Sequence, residues 1–152
     1  MSDPKSSRWT ISTTRLVKGE DLNHHLTLYG GRCVEWAVQL AYIAAQNCFD
    51  DSRPIVFMSI RSLSMRSPAK LGDILELTGR VDYLGESTIG VRVDGRKLQP
   101  KCDPRPVVTG TFLLCTVDQE GKAVAHELPP LPSRSESTDR RWREAERQVA
   151  LS

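Results

Sequence analysis

The segment from Arg32 to about Asn47 limits what this chain can fold into more than any other. It is rich in Ala, Leu and Val and holds neither Pro nor Gly, which favours a helix. At about 100° per residue, Arg32, Glu35, Gln39, Tyr42 and Gln46 share one narrow face. Val34, Ala37, Val38, Leu40, Ala41, Ala44, Ala45 and Cys48 fill most of the remainder. A helix apolar over so much of its girth is buried on several sides, so the rest of the chain must wrap around it. Strand patterns supply that wrapping. Arg8–Lys18 alternates Trp9, Ile11 and Thr13 with polar neighbours, and Ile55–Met65 follows the helix. In Ile74–Leu84, Leu75, Leu77, Gly79, Val81 and Tyr83 alternate with Glu76, Thr78, Arg80 and Asp82. Thr88–Val93 and Val107–Val117 complete the set. The expected architecture is α+β, with an antiparallel sheet of five to six strands wrapped around one long central helix. Such a sheet keeps open edge strands, which edge-to-edge dimerisation closes.

With 152 residues the chain fits one domain at 1–132, followed by a helical tail at 133–152. In the tail, Thr138–Leu151 carries Trp142, Ala145 and Val149 as a thin apolar stripe at helical spacing. The 21 Lys and Arg are interleaved with 19 Asp and Glu, which argues against a nucleic-acid partner. The opening residues Met1–Arg8 lack the apolar core of a secretory signal. Leu40–Ala45, the longest nearly apolar run, is far shorter than the ~20 residues that span a bilayer. Cys33, Cys48, Cys102 and Cys115 show no zinc-like spacing and read as reduced thiols. A cytoplasmic protein with no membrane partner, no cofactor and no metal is expected. Asp94–Pro106 reads as a loop whose Arg96, Lys97, Lys101 and Arg105 are solvated, and His126 reads as structural.

The run Asn23-His24-His25-Leu26-Thr27-Leu28-Tyr29-Gly30-Gly31-Arg32-Cys33-Val34-Glu35-Trp36 resembles the hotdog-fold acyl-CoA thioesterases. Their usual run is Asn-His-His-Gly-Thr-Leu-Phe-Gly-Gly, then a helix carrying Leu-Glu-Trp and an Asp. The likeness continues through Ser67-Pro68, Gly72-Asp73, Gly79-Arg80-Val81 and Leu84-Gly85-Glu86-Ser87-Thr88, and resumes at Val108-Thr109-Gly110-Thr111-Phe112. It implies hydrolysis of acyl-CoA to a free fatty acid and CoA by a homodimer at least, with tetramer and hexamer open. Glycines at a helix start let backbone N–H groups approach a ligand closely, and such donors suit the oxyanion of an attacked thioester.

By this resemblance Asn23 and Gly31 polarise or position the thioester, while His24, His25, Gly30, Ser87 and Thr88 line the substrate. The family's Asp, contributed across the dimer, falls on Val38, which cannot accept a proton or activate water. Glu35, one turn earlier, is one candidate replacement, and His24 or His25 is another. Loss of a general base alone costs about 10²–10⁴-fold. The glycine that follows the two histidines is replaced by Leu26, which is expected to narrow the loop. Two readings therefore stand: an active thioesterase, or an acyl-CoA-binding hotdog protein or regulatory subunit without turnover. A dehydratase or hydratase on the same fold is a weaker third, because the His and acidic motifs of those relatives are absent.

Overall fold

The computed structural model describes residues 8–99, 105–132 and 135–150. Five strands form one antiparallel sheet: β1 (Thr10–Leu16), β2 (Ile55–Met65), β3 (Ile74–Leu84), β4 (Thr88–Lys97) and β5 (Pro106–Thr116). Their order across the sheet is β1-β3-β4-β5-β2, which leaves β1 and β2 at the edges. Helix α1 (Gly30–Gln46) lies on the inner face. It buries Trp36, Ala37, Leu40, Ala41, Ala44 and Ala45 against Leu75, Leu77, Val91, Val93 and Phe112. The small side chains set the distance of approach. A Cβ on Gly79 of β3 would stand 3.2 Å from both Ala44 and Leu40. The opposite side of α1, with Glu35, Gln39, Tyr42 and Ile43, stays exposed. This is the hotdog arrangement that the resemblance implies.

Helix α2 (Glu136–Ala150) packs on the outer face, and a bulge makes that docking place. Register slips between Val81 and Tyr83, so Val81 remains in the inner core while Tyr83 turns outward with Leu113. Trp142 stacks on Tyr83 with ring centroids 6.0 Å apart. It also covers Gly90, where a Cβ would come within 2.8 Å of the indole. The Glu146 carboxylate accepts hydrogen bonds from the Tyr83 phenol, at 2.8 Å, and from the Thr88 hydroxyl. Burial, reinforced by Glu146, raises the Tyr83 phenol well above the usual tyrosine range, so it stays a donor.

Several boundaries differ from the sequence-based expectation, three of them instructively. The helix starts at Gly30 rather than Arg32, because its first amides need no intrahelical partner and glycine is tolerated there. Strand β4 runs to Lys97 rather than Val93. Asp94 and Arg96 face solvent while Gly95 is buried, so the strand's alternation continues through residues that read as a charged loop. The first strand is shorter than Arg8–Lys18. Lys101, Cys102 and Leu151 lie outside the described residues. His126 is buried as expected, accepting from the Leu128 N–H at Nδ1 (3.0 Å) and bonding the Gly85 carbonyl through Nε2. No helix among the described residues is long and apolar enough to cross a membrane.

Candidate active site

The loop before α1 is organised around Asn23. Its Oδ1 accepts from the backbone N–H of His25 at 2.9 Å and of Thr27 at 3.2 Å, and its Nδ2 donates to Thr27 Oγ1 at 3.1 Å. This is the way a short amide side chain closes a turn on its own backbone. Leu26 stands at the tip with φ +64°, the left-handed conformation, and its side chain is exposed. Glycine enters this conformation without steric cost, and here a leucine holds it. His24 and His25 are exposed beside each other, their ring centroids 3.9 Å apart. Leu28 anchors the far end of the loop, donating its N–H to the Ala69 carbonyl at 2.8 Å.

Helix α1 begins without a side-chain cap. The Tyr29 carbonyl accepts from the N–H groups of Arg32 and Cys33, both at 3.1 Å. The amides of Gly30 and Gly31 donate to no group among the described residues. Gly31 is exposed and Gly30 half-buried. Tyr29, which sequence reasoning did not single out, lies against this point. A Cβ on Gly31 would be 2.5 Å from the Tyr29 ring and 3.0 Å from its hydroxyl. Its place between the loop and the glycines was the available signal.

An open cleft of about 460 Å³ lies between the end of β1 with the turn after it and the Arg32–Gln39 face of α1, beside the Asn23 loop and the two glycines, which do not line it. Arg32 bridges two carboxylates there: the buried Asp21 at 3.2 Å and the exposed Glu35 at 3.3 Å. Asp21 Oδ2 also accepts the Lys18 backbone N–H at 2.9 Å. Arg15 donates to Gln39 at 3.2 Å and lies over the Trp36 ring at 5.6 Å. Glu35 is one helical turn from Gly31 and on the same side of α1. Val38 is half-buried and packs against the inner core. Burial pushes the Cys33 thiol up to about 11 and the Cys48 thiol up to about 12, so neither is a nucleophile at neutral pH. Among the described residues no three His, Cys, Asp or Glu side chains gather as metal ligands.

Asn23, His24, His25, Gly30, Gly31 and Glu35 thus lie together in the loop before α1 and in its first turns. Ser87 and Thr88 do not join them. They sit beyond the other end of β3, roughly 30 Å away along the strand. The Ser87 carbonyl accepts the Thr116 N–H at 2.9 Å, and the Thr88 hydroxyl is taken by Glu146. Within one chain, Thr88 belongs to the seam between the sheet and α2, and Ser87 is held against the end of β5.

A family model described as the thioesterase superfamily matches residues 25–102. Among curated proteins, nothing matches the chain. It is similar in structure to an apo-hexameric acyl-CoA thioesterase, with 26% identity over 96% of this chain and 91% of that one, at a TM-score of 0.74. The acyl-CoA hydrolase from Staphylococcus aureus is also similar. Its Thr→Ala mutant is 25% identical, covers 97% of this chain and 91% of that one, and gives a TM-score of 0.77. The same hydrolase, in complex with butyryl coenzyme A, coenzyme A and coenzyme A disulfide, is 24% identical over 97% and 84% of the two chains, at a TM-score of 0.72.

Proposed function

We propose, for a chain that belongs to the thioesterase superfamily, that the start of α1 with the Asn23 loop binds acyl-CoA and hydrolyses its thioester. The observation that carries this reading is the pair of unpartnered amides at Gly30 and Gly31, on an uncapped helix start beside the Asn23 loop. Donors held by the fold, at the positive end of a helix, stabilise charge that develops on a carbonyl oxygen. Water adds to the thioester carbon, the oxyanion is met by these N–H groups, and cleavage of the C–S bond releases the fatty acid and the CoA thiol. Glu35, one turn from Gly31, is the carboxylate nearest in sequence to act on that water. The Asn23 amide has one N–H engaged by Thr27, and its role is to hold the loop and present its second N–H.

A second reading is favoured by Val38. In the S. aureus hydrolase the Asn and the Asp replaced by alanine stand fifteen positions apart, the interval between Asn23 and Val38. This supports Val38 as the occupant of the carboxylate position. A chain with an apolar side chain there binds acyl-CoA without rapid turnover, as a binding protein or a regulatory subunit. CoA release from short-, medium- and long-chain acyl-CoAs, with binding followed in parallel, separates the two. Turnover that falls at least about tenfold in Glu35→Ala supports hydrolysis with a rearranged base. Tight binding without turnover, with turnover rising about 10²-fold or more in Val38→Asp, supports the second reading. Absence of both binding and turnover refutes both.

A further inference from the structure

On the outer face of the sheet, away from α1, a second cavity of about 510 Å³ lies beside α2. A bulge in β2 contributes to it: the register slips between Ile60 and Ser62, so Arg61 is the extra residue beside the Ser62–Thr111 pair. Arg61 and Arg66 come from β2 and the turn after it, Arg92 from β4 and Arg141 from α2. Along the sheet, several basic residues have acidic partners close by. Arg80 meets Asp82 at 3.2 Å, Arg92 meets Asp94 at 2.9 Å, and Lys97 meets Asp73 at 3.4 Å. Of the four arginines at the cavity, Arg92 alone has such a partner among the described residues. Asp82 is the one acid in its lining and is already taken by Arg80. Among the described residues, Arg61, Arg66 and Arg141 form no ion pair.

A second observation is independent of the charge count. Arg61 donates through Nη2 to Gln148 at 2.6 Å, yet its Nε is buried and has no partner. Buried donors are almost always satisfied, so an orphan here points to a missing acceptor. The hydroxyls of Ser62 and Thr111, 2.7 Å from each other, add neutral donors on the floor. Trp142 is buried against Tyr83 and has no free face to stack on a base, so recognition rests on charge and hydrogen bonds.

We propose that the groove formed by Arg61, Arg66, Arg92 and Arg141 binds a small phosphate-bearing anion of two or more charges, at a site separate from the cleft at the start of α1. Guanidinium forks with adjacent hydroxyls match phosphate oxygens in geometry and charge. The volume suits a compact phosphorylated molecule. The proposal does not depend on the thioesterase reading, because it uses none of the residues at the helix start.

Inorganic pyrophosphate, titrated calorimetrically into the full-length chain, tests it. Saturable binding of one pyrophosphate per chain is expected, weakened about tenfold by Arg66→Gln or Arg141→Gln and weakened further by salt. Both side chains are exposed, so the variants should melt at the wild-type temperature. Arg140→Gln, a neighbouring exposed arginine outside the groove, should leave binding within about twofold, since a screened surface charge contributes little. A repeat with saturating CoA distinguishes the source of the phosphate. Pyrophosphate binding that persists supports a separate site, whereas displacement by CoA assigns the groove to CoA's own phosphates and overturns it. Lack of saturable binding, or equal weakening by Arg140→Gln, also overturns it.

Discussion

Leu26 holds a backbone conformation that glycine enters without steric cost. At φ +64° its Cβ crowds the following carbonyl, a penalty of roughly 1–2 kcal/mol for an L-residue. The side chain recovers little of this, being 70% exposed. The loop persists because Asn23 closes it from three sides and Leu28 anchors it to Ala69. Replacement by glycine removes the crowding but adds back ~0.5–1 kcal/mol of unfolded-chain entropy. Leu26→Gly is therefore expected to stabilise the protein by about 0.5–1 kcal/mol, read as a higher urea midpoint with an unchanged slope. A lower midpoint would mean that Leu26 makes a contact in solution that outweighs its strain. Asp21 teaches a related lesson. Its carboxylate is buried and clamped by Arg32 and the Lys18 amide, so the charge at the helix start is organised by a residue before the motif. No spacing rule in the sequence couples Asp21 to Arg32.

At the scale of elements, α1 and the strands are legible because each has a single strong period. The inner face of β3 follows strict alternation, and Leu75, Leu77, Gly79 and Val81 are all buried. The alternation breaks where function or docking is built. Tyr83 belongs by parity to the inner face, but the bulge after Val81 turns it outward. A bulge leaves no trace in a hydrophobic pattern, so neither the seat of α2 nor the capture of Thr88 by Glu146 was readable. The loop and helix start that carry the candidate site were readable for the opposite reason, since those residues are contiguous from Asn23 to Glu35. Docking of α2 rests on Trp142 above Gly90 and Tyr83. Trp142→Ala should cost about 3 kcal/mol and free α2 first. Hydrogen exchange should rise across Glu136–Ala150 while β3, β4 and β5 stay protected. Equal loss of protection throughout would show that α2 and the sheet unfold as one unit.

The whole molecule has an unfinished side. Strand β2 is an edge strand, and Val56, Phe57, Ile60 and Met65 along it are exposed, as are Tyr42 and Ile43 on α1. An open, apolar edge of this length invites pairing with another copy. A mass in sedimentation of at least twice the 17.0 kDa chain is expected. Ile60→Lys, which places a charge on that edge, should shift the population toward monomer. A monomeric wild type at high concentration would remove both the interface and any contribution of a partner to the site.

The strand order has a consequence for synthesis. Strand β1 leaves the ribosome before the other described strands, yet among them it pairs with β3, whose pairing residues Ile74–Arg80 come tens of positions later. Strand β2 emerges next and must await β5, the last strand made. The three central strands, by contrast, fold back on one another in sequence. Both edges of the sheet are thus early to appear and late to be paired. For β1, with Ser12, Thr13 and Thr14, the wait carries little hazard. For β2, with Val56, Phe57 and Ile60, it is the interval in which the nascent chain is most open to sticking to something else.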